Sequence, residues 1–270
     1  GITALAARAL LGSSREDVRA AAVRALDFLA GLQNPDGSIH GGRLPVYVTS
    51  AAVGALAAGG REKDGPVLAN AAAFLAGTQL DEGEGYSEAD KFYGGIGYGN
   101  DLRPDLSNLQ YALQALEEAG AEKSDPAFNR ALVFLQRCQN RSESNPESFR
   151  DRDDPSPVQA GNDGGGVYYP GNSPAGWTVR EDGTKVARSY GSMSYALLKC
   201  YVLAGLAADD PRVEAVVEWV SSHWTLEVNP GFDTLVDPRA GFQGLYYYYL
   251  TLAEALSASN LSVLRTPGGV

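Results

Sequence analysis

Asp101, Asp105, Ser107 and Asn108 fall within eight residues of one another, directly before the apolar helical pattern "LQYALQAL". Two carboxyl groups beside a hydroxyl and an amide could donate a proton or hold a polar ligand. They could also do no more than cap a helix. Asp105 follows Pro104 and precedes apolar residues, so its oxygen can accept from the free amides of a first helical turn. Capping alone accounts for Asp105, whereas Asn108 and Gln110 are not needed for it and could face a cavity. A denser acidic run, "DRDD" at Asp151–Asp154, lies in a Pro- and Ser-containing stretch and reads as solvated charge.

Tyrosines supply the second group of candidates: Tyr98, Tyr168, Tyr190, Tyr195 and the run Tyr246–Tyr249. Aromatic faces can hold an apolar chain, a cation or a sugar ring. Consecutive tyrosines on a helix point about 100° apart, so the run cannot face one way. Asp163 sits in the Gly-rich segment "NDGGGVYY", where Val167–Tyr169 is expected to form a short strand. The segment lacks a Walker lysine, and no phosphate site is read from it.

These residues need positioning elements, and the chain repeats one. "FLAGLQ" at Phe28–Gln33 recurs as "FLAGTQ" at Phe74–Gln79, "FLQRCQ" at Phe134–Gln139 and, loosely, "WVSSHW" at Trp219–Trp224. Each ends an amphipathic helical pattern. After each comes a turn-rich connector, and then a more apolar helix: Tyr47–Ala58, Asp105–Ala119, Tyr190–Leu206 and Gln243–Leu256. Pro66, Pro126 and Pro211 stand near helix starts, and glycines follow the apolar helices. The unit is a helical hairpin repeated four times, preceded by a helix at Ile2–Leu11. The more apolar helix of each pair should form an inner layer and the more charged one an outer layer. The connector from Asn140 to about Arg188 is long enough to be functional or disordered, and its Tyr168, Tyr169 and Trp177 could lid a cavity. Periodicity alone leaves an open solenoid and a closed ring both standing.

The aromatic–Leu pair, the Gln five residues later and the Asp-Gly turn resemble the repeats of the terpenoid cyclase and protein prenyltransferase superfamily. "PDLSNLQYAL", "NDGGGVYY", "GSMSYALLKC" and "GLYYYYLTLAEAL" are similar to bacterial prenyltransferase and squalene-oxidase repeat proteins, over roughly residues 20–256. The resemblance implies an all-α fold, an α/α toroid of inner and outer helices around a central cavity, with helix-starting connectors at its rim. About nine helices are expected where complete barrels of the family have twelve, so the ring is small or incomplete. Residues 1–270 read as one such domain, with the connector at 140–188 inside it.

By the same resemblance, Asp105 takes the first place of the squalene cyclases' Asp-x-Asp-Asp motif, Ser107 the second and Asn108 the third. The second place carries the family's proton donor, and a serine there lacks a comparable acidic proton. The zinc trio of the protein prenyltransferases is also missing from "RSYGSMSY" and "FQGLYYYY". No metal and no cofactor is expected. The candidate catalytic set is Asp101, Asp105 and Asn108; the candidate ligand-binding set is Tyr98, Asp163, Tyr168, Tyr190, Tyr195, Gln243, Tyr246 and Tyr247. An isoprenoid or other apolar ligand is the first expectation. A carbohydrate-active toroid and a non-catalytic scaffold are the alternatives.

Composition narrows the partners. The formal charge is −11, with 33 acidic and 22 basic residues. No basic stripe is present, which disfavours nucleic acid and anionic membrane surfaces. No apolar run reaches the roughly 20 residues needed to span a bilayer. A small-molecule or lipid-like ligand is the expected partner, and the oligomeric state is open. Met193 is the single methionine, so the chain is expected to be processed or trimmed, with any signal peptide out of sight. A soluble protein is expected, and export stays open. Cys138 and Cys200 fit no zinc or redox spacing and read as buried thiols, with one disulfide as the alternative in an exported chain.

Overall fold

A computed structural model describes residues 1–99, 103–146, 148–149, 158–259, 261, 263–266 and 269. Asp101 and the Asp151–Asp154 run lie outside the described residues. Among the described residues there are nine α-helices: α1 (Ile2–Leu11), α2 (Glu16–Ala30), α3 (Pro45–Gly59), α4 (Gly65–Ala76), α5 (Leu106–Glu118), α6 (Pro126–Arg137), α7 (Gly191–Leu203), α8 (Pro211–Ser222) and α9 (Leu245–Ser259). The odd-numbered helices pack side by side in chain order, α1 on α3, α3 on α5, α5 on α7 and α7 on α9. Even-numbered helices lie against them from outside. The helix at Ile2–Leu11, which the repeats leave over, is thus the first member of the inner row.

Burial separates the layers in the middle of the array, while the end helices α1 and α9 bury only two of ten and four of fifteen residues. Inner α7 buries twelve of its thirteen residues, while outer α8 buries four of twelve: Val213, Val216, Trp219 and Val220. Pro66, Pro126 and Pro211 occupy the first turns of α4, α6 and α8, where the missing amide costs nothing. Gly120 and Gly205, at φ of 99° and 80°, end α5 and α7. In each case the next residue's amide reaches back five residues: Ala121 to the Leu116 carbonyl at 2.9 Å, and Leu206 to Tyr201 at 3.0 Å. This is the Schellman closure.

The repeated glutamine explains why the motif is kept from hairpin to hairpin. Gln33 Nε2 donates to the carbonyls of Gly37 and Val67 at 3.1 and 2.8 Å. Gln79 Nε2 does the same to Gly94 and Ala127 at 2.9 and 3.0 Å, and Gln139 Nε2 to Gly164 and Arg212 at 3.0 and 2.8 Å. One amide therefore ties the end of an outer helix to its own connector and to the next outer helix. The connector glycines are forced by the close approach. A Cβ on Gly94 would lie 1.9 Å from the Arg130 carbonyl oxygen, and φ there is +78°.

Each connector also laps the start of the preceding inner helix. The Tyr98 carbonyl accepts from Val46 of α3 at 3.3 Å, Tyr168 from Leu106 of α5 at 2.8 Å, and Pro230 from Gly191 of α7 at 2.8 Å. Orphan amides of the first turn are satisfied from outside the helix in this way. Asn229 adds a second cap to α7, its Oδ1 accepting from the Ser192 amide at 3.1 Å.

The long connector holds a small sheet in the order β1-β2-β4-β3, formed by Ser148–Phe149, Val158–Gln159, Trp177–Val179 and Lys185–Ala187. The strand expected at Val167–Tyr169 is not one of these. Tyr169 makes an isolated bridge to Asn172, because the Tyr168 carbonyl is already engaged by α5. Cys138 and Cys200 are both free, buried thiols.

Candidate functional site

Asp105 precedes α5 with an extended backbone, φ −147° and ψ 158°. Its Oδ1 accepts from the Asn108 amide and its Oδ2 from Asn108 Nδ2, both at 2.8 Å. The residue therefore caps the helix. It is also wholly buried. Burial raises its pKa above the ordinary carboxylate value, against the opposing pull of Asn108, the Tyr168 hydroxyl and the Arg103 cation.

Tyrosines close around it. The Tyr168 and Tyr98 hydroxyls stand 3.5 Å apart. Burial and the neighbouring Asp105 push the hydroxyl pKa of Tyr168 and of Tyr190 upward. Tyr190 holds the same place at the start of α7 as Asp105 at α5, with the same φ and ψ. From α9, the Tyr247 hydroxyl lies 2.8 Å from Ser107 Oγ and accepts from Gln110 Nε2 at 3.3 Å. Its pKa is raised by burial first and by the nearby Tyr111 second. The Tyr111 ring stands 6.3 Å from Tyr247 and 5.1 Å, edge-on, from Tyr47. Asn108 Oδ1 and Gln110 Oε1 are buried acceptors with no hydrogen-bond partner among the described residues.

Five members of the candidate set thus gather around Asp105: Asn108 and Tyr168 bond to it, Tyr190 and Tyr247 lie within reach of its charge, and Tyr98 joins through the Tyr168 hydroxyl. Others are placed elsewhere. Asp163 accepts from the Gly165 amide at 3.0 Å and from Ser189 Oγ at 2.8 Å, in a small separate pocket with Trp219 and His223. Tyr195 packs on Tyr248 with ring centroids 5.8 Å apart, so it belongs to the α7–α9 contact. Tyr246 is 86% exposed, and Gln243 is exposed with its carbonyl accepting from Asn229 at 3.0 Å.

Two aromatic members, Tyr47 and Tyr111, escape the sequence reading. A signal for Tyr111 exists: Ser107, Tyr111, Gln114 and Glu118 recur at three- and four-residue spacing on α5 and so share one face. Farther along that face the hollow turns ionic. Arg8 of α1 pairs with Glu118 at 2.6 Å, and Lys199 of α7 donates to Gln114 at 2.8 Å and to Glu254 of α9 at 2.6 Å. Gly54 lets the first pair cross α3, since a Cβ there would lie 2.5 Å from Arg8 Nη1. A cavity of about 340 Å³ is lined by these groups. Among the described residues no group of three or more His, Cys, Asp or Glu side chains is arranged to hold a metal.

A rim of buried polar and aromatic groups at inner-helix starts, carried by glutamine-tied hairpins, has a counterpart among known families. The family described as squalene-hopene cyclase C-terminal domain matches residues 2–151, more than half of the 270-residue chain and inclusive of α1 through α6. No curated protein and no solved structure matches the chain. The two concentric helix layers are those of an α/α toroid, and the chain belongs to the squalene-hopene cyclase C-terminal domain family.

Proposed function

We propose that this squalene-cyclase-like repeat protein binds an isoprenoid or similar apolar ligand at the start of α5, without the usual cyclase proton donor or transferase zinc set. The observation that carries the reading is the wholly buried Asp105 beneath Tyr98, Tyr168, Tyr190 and Tyr247. Aromatic faces favour a hydrocarbon chain and any cation that develops on it. Asp105 is the acid of this site, because burial holds its proton to a higher pH than usual. Asn108 binds both carboxyl oxygens and so fixes their direction.

A second reading, a non-catalytic scaffold, has its own support. Tyr47 stands edge-on to Tyr111, which lies tilted beside Tyr247, and the three rings below the rim occupy space that a long ligand would need.

Thermal unfolding with farnesol, geranylgeraniol and a series of oligosaccharides separates the readings. Ligand at about 100 times its Kd adds about 2.7 kcal/mol, a shift of several degrees. The isoprenoid reading expects that shift with the prenyl alcohols and its loss in Asp105→Asn. A shift with oligosaccharides alone would replace it with a glycan site, and no shift with either class would leave the scaffold.

A further inference from the structure

The outer helices do not all seat alike. α2 packs on α1 and α3, α4 on α3 and α5, and α6 on α5 and α7. α8 keeps its seat on α7, but between it and the end of α9 a groove of about 900 Å³ opens. Its floor is Leu198 and Val202 of α7, and its wall is Val213 and Val217 of α8. Leu261, Val263 and Leu264, beyond α9, line the opposite side. The volume falls within the roughly 300–1,000 Å³ of small-molecule sites. From Val213 to Ser222 the wall is about 14 Å long at the helical rise, the length of an extended chain of about a dozen carbons.

Polar groups mark its edge. Glu214 and Glu218, one turn apart on α8, line it together with Arg265. Two carboxylates against one guanidinium make the edge net acidic, in a chain of formal charge −11. An anionic head would meet that field unfavourably, while a neutral or cationic head would not.

We propose that this groove binds a single-chain amphiphile, its hydrocarbon tail along α7 and α8 and its uncharged or cationic head between Glu214, Glu218 and Arg265. An apolar trough that the array elsewhere fills with helix packing gains by covering itself with a chain of the same width. The site lies on the outer side of the array and is independent of the Asp105 site.

Isothermal titration calorimetry with dodecylamine, dodecanol and dodecanoate, each below its micelle concentration, tests the assignment. One saturable site is expected in the Asp105→Asn protein, where the inner site no longer contributes, with dodecanoate at least tenfold weaker than dodecylamine. Val217→Trp, which fills the trough from an outer helix, should weaken dodecylamine at this site at least tenfold, in the wild-type and the Asp105→Asn background alike. Circular dichroism of Val217→Trp confirms the fold, and Val217→Gln serves as the milder variant should the tryptophan unfold it. Binding untouched by both Val217 variants, binding lost in Asp105→Asn, or tighter binding of dodecanoate overturns the proposal. So does a dimer in sedimentation equilibrium that either Val217 variant dissociates, since the groove would then hold a second copy.

Discussion

Replacing Gln139 by leucine tests whether the repeated glutamine is the pin of the array. The side chain is 1% exposed and makes three hydrogen bonds: Nε2 to the Gly164 and Arg212 carbonyls, and Oε1 from the Tyr201 hydroxyl at 2.9 Å. Leucine has similar bulk, so little space opens for water, and three polar groups lose their partner. An orphaned buried group costs about 1–3 kcal/mol. The Arg212 carbonyl is only partly buried and recovers some solvation, so the sum is about 3–5 kcal/mol. That is a large share of the roughly 5–15 kcal/mol by which folded domains are stable. Gln33 makes the equivalent bonds in a half-buried setting, and Gln33→Leu should cost about 1 kcal/mol. Urea unfolding of both variants reads the difference as a change in midpoint at constant slope. Equal losses at the two sites, or a loss below about 1 kcal/mol at Gln139, would refute the pinning argument.

Gly94→Ala combines a left-handed backbone with an overlap on the Arg130 carbonyl and should cost at least about 3 kcal/mol. Gly120→Ala has open space around it and should cost about 1 kcal/mol, so melting the pair side by side isolates the overlap. The raised pKa of Asp105 sets a pH dependence of known sign. Its native state holds the proton more tightly than the unfolded chain, so the group favours folding at low pH. That contribution is lost as pH rises from the ordinary value of 3.8 through the raised native one. Asparagine caps as well as aspartate and does not ionise. The stability of wild type relative to Asp105→Asn should therefore fall across that window, as urea melts at stepped pH would show, and a rise would reverse the assignment.

The hairpins could be read from sequence because their signals are local. The expected helix Tyr190–Leu206 is Gly191–Leu203, and Tyr47–Ala58 is Pro45–Gly59, each bounded by the glycines and prolines that mark it. The sheet in the long connector could not be read, since strands of two or three residues exist only through pairing with distant partners. The site was half legible. Repetition shows that helix starts share a rim, which brings Asp105, Tyr168 and Tyr190 together. It does not give the rotation of each helix about its axis. Tyr246 therefore points to solvent, Tyr247 into the hollow and Tyr248 to the Thr225 carbonyl, although nothing in "YYYY" distinguishes them.

The lapping of connectors gives the array a direction, like tiles on a roof. Tyr98 closes α3, Tyr168 closes α5 and Pro230 closes α7, always from the later segment onto the earlier helix. A ribosome delivers the chain in that same order, so each inner helix emerges before the carbonyl that seals its first turn. Every hairpin is then completed one unit late, and the newest stays open at its leading edge. Unravelling runs the other way. Lifting a later connector unseals the helix before it: loosening at Pro230 frees the first turn of α7, and loosening at Tyr168 frees that of α5. Amide exchange at the first turns of α3, α5 and α7 should accordingly follow the opening of the connector that seals each one.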